Sequence, residues 1–448
     1  MAAALTTGAL IGVGVTSAAA EGEYLPPSVT VAPPDTAGCG QRQTPPPAVD
    51  TSENVAPGSA APIPLPVPTE PVGGPALGSC DFVLPDGAPA VPSDISAAAW
   101  MVADLTTGQV LGGKDVHGRY RPASTLKLLT TIVVLRELTR LDEQVTGTQE
   151  DADQEGSRVG MGAGGVYTVR ELLQGLLMNS GNDTANALAR AGGGVEATIA
   201  EMNTVAASIG ALDTRAATVS GLDRAGQQTS AYDLALIMDE ALSLPHFALL
   251  LGTATAMFPG FDTYPAFGIA NDNKLLAHYP GAVGGKTGFT DDAGNTYVGV
   301  AQRGGHRLVV TMLAGTQQPR RQWMQAASLL DWGFAVTTAG LNPVGRLVEP
   351  GGDLNASKAA ESAAETPGAA AASSGVAPST GDAASPAATT GVAPASGGTD
   401  GGGAGWWPGL VALLAVLAGA AVVVARRRQG GAARLPGPDA SSSTSRDD

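Results

Sequence analysis

Residues that build metal sites and nucleic-acid surfaces are scarce in this chain. Its 448 residues include two cysteines and four histidines, and His, Cys and carboxylate residues are nowhere grouped at metal-ligand spacing. The formal net charge is −16, and the chain has no basic stripe of the kind that nucleic-acid-binding domains carry. We therefore expect no metal, no cofactor and no nucleic-acid partner.

The two cysteines, Cys39 and Cys80, both lie in a proline-rich N-terminal region. In an exported protein, two such thiols most simply form a disulfide, which here would close a loop of about 40 residues. The alternative is a pair of free thiols in a disordered arm. The pairing therefore depends on export.

Both ends of the chain consist largely of Ala, Gly, Pro, Ser and Thr. Such a composition cannot bury enough apolar surface to fold. The middle has an ordinary globular composition and fits one domain of roughly 250 residues. The predicted division is a signal peptide at 1–20, a Pro-rich disordered arm at 21–92, a globular domain at 93–340 and a low-complexity linker at 341–405.

The predicted signal peptide lacks one usual feature, since no Lys or Arg precedes its apolar stretch. The small residues Ala18, Ala19 and Ala20 follow that stretch and resemble a cleavage site. The alternative is a flexible, alanine-rich leader. We favour the signal peptide, and with it export.

Residues 406–425 carry no charge, and about 20 apolar residues suffice for a transmembrane helix. Trp406 and Trp407 fit an interfacial belt, and the arginine cluster just after the apolar run fits the positive-inside rule. We therefore expect a single-pass protein of the cell membrane. Its globular domain would be extracytoplasmic, with 426–448 as a cytoplasmic tail.

The pattern of the globular domain predicts an α+β fold. A hairpin over 97–111 comes first, several amphipathic helices follow, and a three-stranded meander with a final helix ends the domain. We expect an antiparallel five-stranded sheet flanked by helices, together with a mainly helical subdomain.

A short stretch starting at Ser124 is unusual because it combines a lysine with an almost wholly apolar helix. Ser124 and Lys127 are three positions apart, so they share one helical face. A helix that is apolar on every side is buried, and a buried lysine is costly without a partner or a task. Alternatively, Ser124 is a helix N-cap and Lys127 a side chain that reaches solvent.

Two further short motifs follow in order, Ser180-Gly181-Asn182 and Lys286-Thr287-Gly288. The first falls at a break between two predicted helices, and the second falls on a strand of the meander. Each motif alone could be a cap or a turn. Together with Ser124-x-x-Lys127 they match the motif set of penicillin-binding proteins and class A β-lactamases, in which Asp often replaces the central Gly.

The motifs and their flanks resemble the low-molecular-weight penicillin-binding proteins, the serine-type D-Ala-D-Ala carboxypeptidases. The flanks are Arg121-Pro122-Ala123 before the first motif and Phe289-Thr290 after the third. Gly181 at the centre of the second motif is itself typical of that group. The resemblance covers about residues 95–335 and implies a DD-peptidase/β-lactamase-like fold.

The resemblance implies that Ser124 is the nucleophile. A serine hydroxyl needs an adjacent base, and Lys127 corresponds to the family's base. Burial would lower the pKa of Lys127 and favour its neutral amine. The oxyanion would be held by the backbone N–H groups of Ser124 and Phe289.

The other motif residues would bind and orient the substrate. Ser180 would relay a proton between Lys127 and the leaving amine, and Asn182 would bind a substrate amide. Lys286 and Thr287 would bind the terminal carboxylate, and Gly288 would leave room for an extended peptide.

The leading hypothesis is a membrane-anchored carboxypeptidase that removes the terminal D-alanine from peptidoglycan stem peptides through an acyl-enzyme on Ser124. The resemblance also implies that β-lactams acylate it.

Two alternatives remain. One is a class A-like β-lactamase, but none of the glutamates between Asp183 and Gly285 (Glu196, Glu201, Glu240) stands in the Glu-x-x-Asn setting of those enzymes. The other is a catalytically idle wall-binding protein, for which a buried lysine would have no purpose.

Overall fold

The computed structural model describes residues 32–349 apart from Ala56. The predicted signal peptide, transmembrane helix and cytoplasmic tail lie outside these residues. Within the described range, no helix is both long enough and apolar enough to cross a membrane.

An antiparallel sheet forms the centre of the domain. Its spatial order is β1-β3-β2-β10-β9-β8, and β11 also pairs with β3. Five long strands correspond to the predicted hairpin and meander, and the two-residue strands β1 and β11 add to it at β3. The strands are β1 Phe82–Val83, β2 Ala99–Asp104, β3 Gln109–Lys114, β4 Gln144–Thr146, β5 Val166–Thr168, β6 Thr255–Phe258, β7 Phe267–Ala270, β8 Ala282–Thr290, β9 Gly294–Arg303, β10 His306–Gly315 and β11 Gly345–Arg346.

Helices cover the sheet and build most of the segment between β3 and β8. Some of them begin with side-chain N-terminal caps. Thr168 and Glu171 form a reciprocal capping box, and the Ser230 side chain accepts from the backbone N–H of Asp233. The helices are α1 Lys127–Glu137, α2 Gln149–Ala152, α3 Val169–Met178, α4 Asn182–Ala191, α5 Val195–Ser208, α6 Ala231–Ser243, α7 Phe247–Leu251, α8 Leu275–His278 and α9 Gln322–Thr338.

Helix α1 is buried, as its uniform hydrophobicity predicts. Leu128, Leu129, Ile132 and Val133 are at most 2% exposed. Each such side chain contributes roughly 1.5–3 kcal/mol on burial. A short 3₁₀ turn, Ala123–Leu126, leads into this helix. The core thus fixes the position of the first motif.

The proline-rich arm differs from its prediction. Its described part, 32–92, lies against the globular domain and is tied by a Cys39–Cys80 disulfide with a Cα–Cα distance of 5.3 Å. An extended proline-rich chain leaves its carbonyl oxygens without internal partners. Buried cations of the domain supply them here. The Arg119 guanidinium donates to the carbonyls of Gln43, Leu65 and Pro66 at 3.1, 2.6 and 2.7 Å.

The domain also continues past the predicted boundary at residue 340. Strand β11 pairs with β3, and the backbone N–H of Val348 donates to the Tyr232 hydroxyl at 3.1 Å. The first residues of the predicted linker therefore belong to the fold.

Candidate active site

The predicted nucleophile lies in a strained turn. Ala123, the residue before Ser124, has φ 46°, a left-handed conformation that is uncommon for a residue with a side chain. A hydrogen bond of 2.8 Å from Thr296 Oγ1 to the Pro122 carbonyl ties the turn to β9. A Cβ on Gly221 would lie 1.9 Å from the Ala123 carbonyl oxygen, so only glycine allows this approach. Strain held by surrounding contacts is common at functional sites.

Lys127 is fully buried and makes three polar contacts. Its Nζ lies 2.9 Å from Ser124 Oγ, 2.7 Å from Asn182 Oδ1 and 2.5 Å from the carbonyl oxygen of Ser220. The first and second motifs therefore meet at one amine. The contact between Ser124 and Lys127 is the one that their spacing on one helical face predicts.

Burial holds the pKa of Lys127 well below its usual value. The charge of Lys286 lowers this pKa further, and the charge of Asp183 opposes the shift. The neutral amine is thereby favoured at a lower pH than in an exposed lysine.

The second motif occupies the break between α3 and α4. Ser180 has φ 59°, and its buried hydroxyl has no hydrogen-bond partner among the described residues. Asn182 Nδ2 donates to the Glu155 carbonyl at 2.6 Å, which orients the amide so that Oδ1 faces Lys127. The structure thus places Asn182 in the hydrogen-bond network of Lys127, while the Ser180 hydroxyl makes no hydrogen bond to Lys127 in the described structure.

Asp183, next to the second motif, shapes the facing loop. Its buried carboxylate accepts the backbone N–H groups of Val159, Gly160 and Met161 at 3.0, 2.8 and 3.2 Å. The negative charge of Asp183 acts on Lys127, where it opposes the lowering of the lysine pKa.

The third motif lies on β8, which ends the sheet order of the described residues. Lys286 is 2% exposed, and its Nζ donates to the Thr287 carbonyl at 2.8 Å. Burial lowers the pKa of Lys286 to about 8, although the charge of Asp272 opposes this. Thr287 is half-buried.

Gly288 was expected to leave room for a substrate peptide, but it lies against the turn that carries Ser124. A Cβ there would lie 2.8 Å from the backbone nitrogen of Ser124 and 2.3 Å from Thr296 Oγ1. The missing side chain therefore makes room for the nucleophile's own turn. The next residue, Phe289, has a 60% exposed side chain. The two predicted oxyanion donors, Ser124 and Phe289, thus belong to adjoining segments.

Sequence reasoning missed several groups that complete the site. The Ser220 and Glu155 carbonyls hold Lys127 and Asn182, Gly221 packs on the nucleophile turn, and Asp272 faces Lys286. Every residue has a backbone carbonyl, so residue types do not show which carbonyls bind Lys127 and Asn182. Gly221, in the sequence Ser220-Gly221-Leu222, was the one available signal.

One histidine–carboxylate group lies apart from this site. His117, Asp213 and Asp233 offer ligand atoms within 4.8 Å of one another. However, both His117 ring nitrogens are engaged, Nδ1 with Asp213 at 2.8 Å and Nε2 with the Val72 carbonyl at 2.9 Å. Arg119 Nε also donates to Asp213 at 3.0 Å. An ion-pair network accounts for the group without a metal.

Comparison with known proteins gives a consistent result. A family model described as D-alanyl-D-alanine carboxypeptidase matches residues 86–316. The D-alanyl-D-alanine carboxypeptidase DacB2 of Mycobacterium tuberculosis is 45% identical over 258 residues, which are 57% of this chain and 87% of the relative. DacF of Bacillus subtilis is 29% identical over 244 residues, 53% of this chain and 62% of the relative.

Solved structures similar to this chain come from the same kinds of protein as these relatives. A D-alanyl-D-alanine carboxypeptidase from Mycobacterium tuberculosis matches with a TM-score of 0.55 and 44% identity, covering 60% of this chain and 99% of that one. A DD-transpeptidase from Streptomyces matches with a TM-score of 0.53 and 30% identity, covering 55% and 100%. The antiparallel sheet and its helices are thus a DD-peptidase-like fold. The chain belongs to the D-alanyl-D-alanine carboxypeptidase family and is a serine carboxypeptidase.

Proposed function

We propose that the protein removes the terminal D-alanine from peptidoglycan stem peptides through an acyl-enzyme on Ser124, and that β-lactams acylate the same hydroxyl. The observation that carries this proposal is the set of three contacts at Lys127 Nζ. They connect a candidate nucleophile, a candidate base and the second motif in a water-poor setting.

The hydrogen-bond partners of Lys127 suit a general base. A neutral amine has two N–H donors and one lone pair. The Asn182 Oδ1 and the Ser220 carbonyl are acceptors, so they take the two N–H groups. The lone pair is then left for the Ser124 hydroxyl at 2.9 Å, which is within reach for proton transfer.

The reaction follows from this arrangement. Ser124 Oγ attacks the carbonyl carbon between the last two residues while Lys127 takes the hydroxyl proton. The C–N bond breaks, the proton passes to the leaving amine, and D-alanine departs. Water then attacks the ester and releases the shortened peptide and free Ser124. The backbone N–H groups of Ser124 and Phe289 stabilise the oxyanion in both steps.

Substrate binding uses the edge of the sheet. An extended peptide can add to the outer edge of β8 by main-chain hydrogen bonds. The Lys286 ammonium and the Thr287 hydroxyl suit a terminal carboxylate, and Asn182 suits a peptide amide. The Ser180 hydroxyl, which has no partner in the described structure, is free to pass the proton to the leaving amine.

A labelled penicillin tests the nucleophile, and release of D-alanine from a pentapeptide tests the activity. We expect the wild type to be labelled and to release D-alanine, and Ser124→Ala to do neither while it unfolds at the wild-type temperature. Equal labelling of both proteins would show that Ser124 is not the nucleophile. Absent release by well-folded wild type would favour the idle wall-binding protein.

The same preparation distinguishes a β-lactamase. Glu196 and Glu201 lie on α5, and Glu240 pairs with Arg136 at 2.6 Å. None of these three carboxylates hydrogen-bonds Ser124 or Lys127 in the described structure. We therefore expect slow nitrocefin turnover, and many turnovers per second would favour the β-lactamase.

We also propose that the enzyme is held at the outer face of the cell membrane by residues 406–425. The charge-free run before an arginine cluster supports a span. The Cys39–Cys80 disulfide supports an oxidising, extracytoplasmic compartment. Alkaline washing of membranes, which leaves spanning proteins behind, tests the anchor, because release of the protein by the wash would refute it.

A further inference from the structure

One segment of the N-terminal arm, residues 46–53, contacts the start of the nucleophile turn. Arg121 stands three residues before Ser124 and is 2% exposed. Its Nε donates to the Glu53 carboxylate, and its NH1 donates to the Pro46 carbonyl at 2.8 Å. The arm therefore holds the residue from which the turn departs.

The same arm segment contacts the chain just past the third motif. Asp292 stands three residues after Phe289. Its carboxylate accepts from the backbone N–H of Val49 and from the Ser52 hydroxyl, the latter at 3.1 Å. Within the arm, the Ser52 N–H donates to Asp50 Oδ1 at 2.7 Å, which shapes the segment between its two anchors. Both ends of the contact thus lie three residues from a predicted oxyanion donor.

Charge explains why the Arg121 contact matters. The guanidinium is removed from water, and Glu53 is the carboxylate bonded to it, while Asp292 and Asp223 also favour its charge. Removing one partner of a buried pair leaves an uncompensated charge. Arg121 would then seek another partner, and the turn that it begins would shift.

The turn has little tolerance for such a shift. Ala123 is held at φ 46° by its surroundings, and the Gly288 backbone lies against Ser124 N. Displacements on the order of 1 Å can cost about 100-fold in rate when they misplace a catalytic group. A bond that holds Arg121 therefore bears on the geometry of the oxyanion hole.

We propose that arm segment 46–53 is a clamp that positions the two oxyanion donors, and that Glu53 is its principal positioning residue. The proposal rests on the proposed function, because it concerns the acylation of Ser124. Glu53 would act on Ser124 through Arg121 and not by touching the substrate. The clamp lies inside the loop closed by Cys39 and Cys80, so the disulfide keeps it close to the domain.

The test compares acylation rate constants of the full chain with a labelled penicillin, normalised to the titratable Ser124. We expect Glu53→Ala to acylate about tenfold more slowly, with the initial binding constant changed less than about twofold. Glu53→Gln keeps an acceptor oxygen and should lose less. The matched control is Asp86→Ala, an exposed arm carboxylate, which should acylate at the wild-type rate.

Asp292→Ala removes the other anchor at a half-exposed position, so it tests the clamp even if Glu53→Ala fails to fold. Asp292→Ala should slow acylation, as Glu53→Ala does. Wild-type rates for both Glu53 variants and for Asp292→Ala would overturn the clamp, as would a loss confined to the binding constant. A wild type that no penicillin acylates would instead refute the proposed function.

Discussion

At the scale of single residues, the proposed function gives two buried lysines in one site different tasks. Burial lowers the pKa of both. Lys127 also feels the charge of Lys286, so the cation that would bind the substrate carboxylate helps to keep the base neutral. Asp272 opposes the shift at Lys286 and helps that side chain to keep its proton. The two environments thus separate a base from a cation.

The pKa of about 8 at Lys286 predicts a loss of substrate affinity in alkaline solution. Below pH 8 the ammonium is present and can pair with the terminal carboxylate. At pH 9 only about one-tenth of it remains. We expect kcat/KM for a peptide ending in D-Ala-D-Ala to fall from about pH 8, mainly through a rise in KM.

Lys286→Arg provides the comparison, because a guanidinium keeps its charge up to about pH 12. The variant can be slower overall, but its alkaline fall near pH 8 should vanish. If both proteins show the same fall, another group titrates there. A wild-type profile that stays flat to pH 10 would show that the Lys286 charge does not govern binding.

At the scale of elements, the site exists because β8 and the nucleophile turn approach closely. Glycine allows this at Gly288, where any Cβ would meet Ser124 N and Thr296 Oγ1. Neither neighbour is the free end of a flexible chain, since one is backbone and the other is bonded to Pro122. A side chain at Gly288 must therefore move the strand or the turn.

Gly288→Ala is accordingly expected to slow the acylation of Ser124 by about 100-fold. The matched control is Gly268→Ala on strand β7, where a Cβ would meet nothing within 4 Å. Acylation rate and unfolding temperature are measured for both variants. Equal rates in the two variants would mean that the contact does not constrain the nucleophile.

The elements that sequence reasoning recovered are those with a strong local signal. The capped helices α3 and α6, the first hairpin and the meander all have turn residues or periodicity that point to one structure. The β6–β7 hairpin was not predicted, because its strands are four residues each and their exposed positions give no clear alternation. Of the site, all three motifs were located, but the Ser220 and Glu155 carbonyls were not.

At the scale of the whole molecule, the arm is the main difference between prediction and structure. Its composition indicates disorder, because it offers few apolar side chains. What holds it is polar and supplied by the domain: Lys114 donates to the Pro34 carbonyl at 2.7 Å, and Arg119 and Arg121 bind further carbonyls. These cations are distant from the arm in sequence. Only the folding of β3 and the turn after it brings these three cations to the surface on which the arm lies.

A buried ion network links the arm to the helical part. His117 donates to the arm carbonyl of Val72 and to Asp213, and the Asp233 carboxylate accepts from Asp213 N at 2.8 Å and from Thr214 Oγ1 at 2.7 Å. Burial alone would lower the pKa of His117, but the hydrogen bond and charge of Asp213 raise it overall. Burial, together with the charge of Asp213, raises the pKa of Asp233 to about 8.

These two shifts predict that stability falls as pH rises. In the unfolded chain, His titrates near 6.5 and Asp near 3.8. Between pH 6.5 and 8 the folded protein therefore binds more protons than the unfolded chain, and a rise in pH favours unfolding. The pKa of Asp213 is lowered, so this group changes the stability with pH only in acid, below about pH 3.8.

Asp233→Asn removes one of these groups while keeping an acceptor oxygen for Asp213 N and Thr214 Oγ1. Between pH 6 and 8, the titration of Asp233 lowers the free energy of unfolding by about 2 kcal/mol. This corresponds to a fall of about 4 °C in unfolding temperature. From pH 6 to 8, we expect the unfolding temperature of Asp233→Asn to fall by about 4 °C less than that of the wild type. The exposed control Asp86→Asn should follow the wild type. If Asp233→Asn shows the wild-type decline, the Asp233 carboxyl is already ionised in the folded protein at pH 6, and the link between this network and pH is wrong.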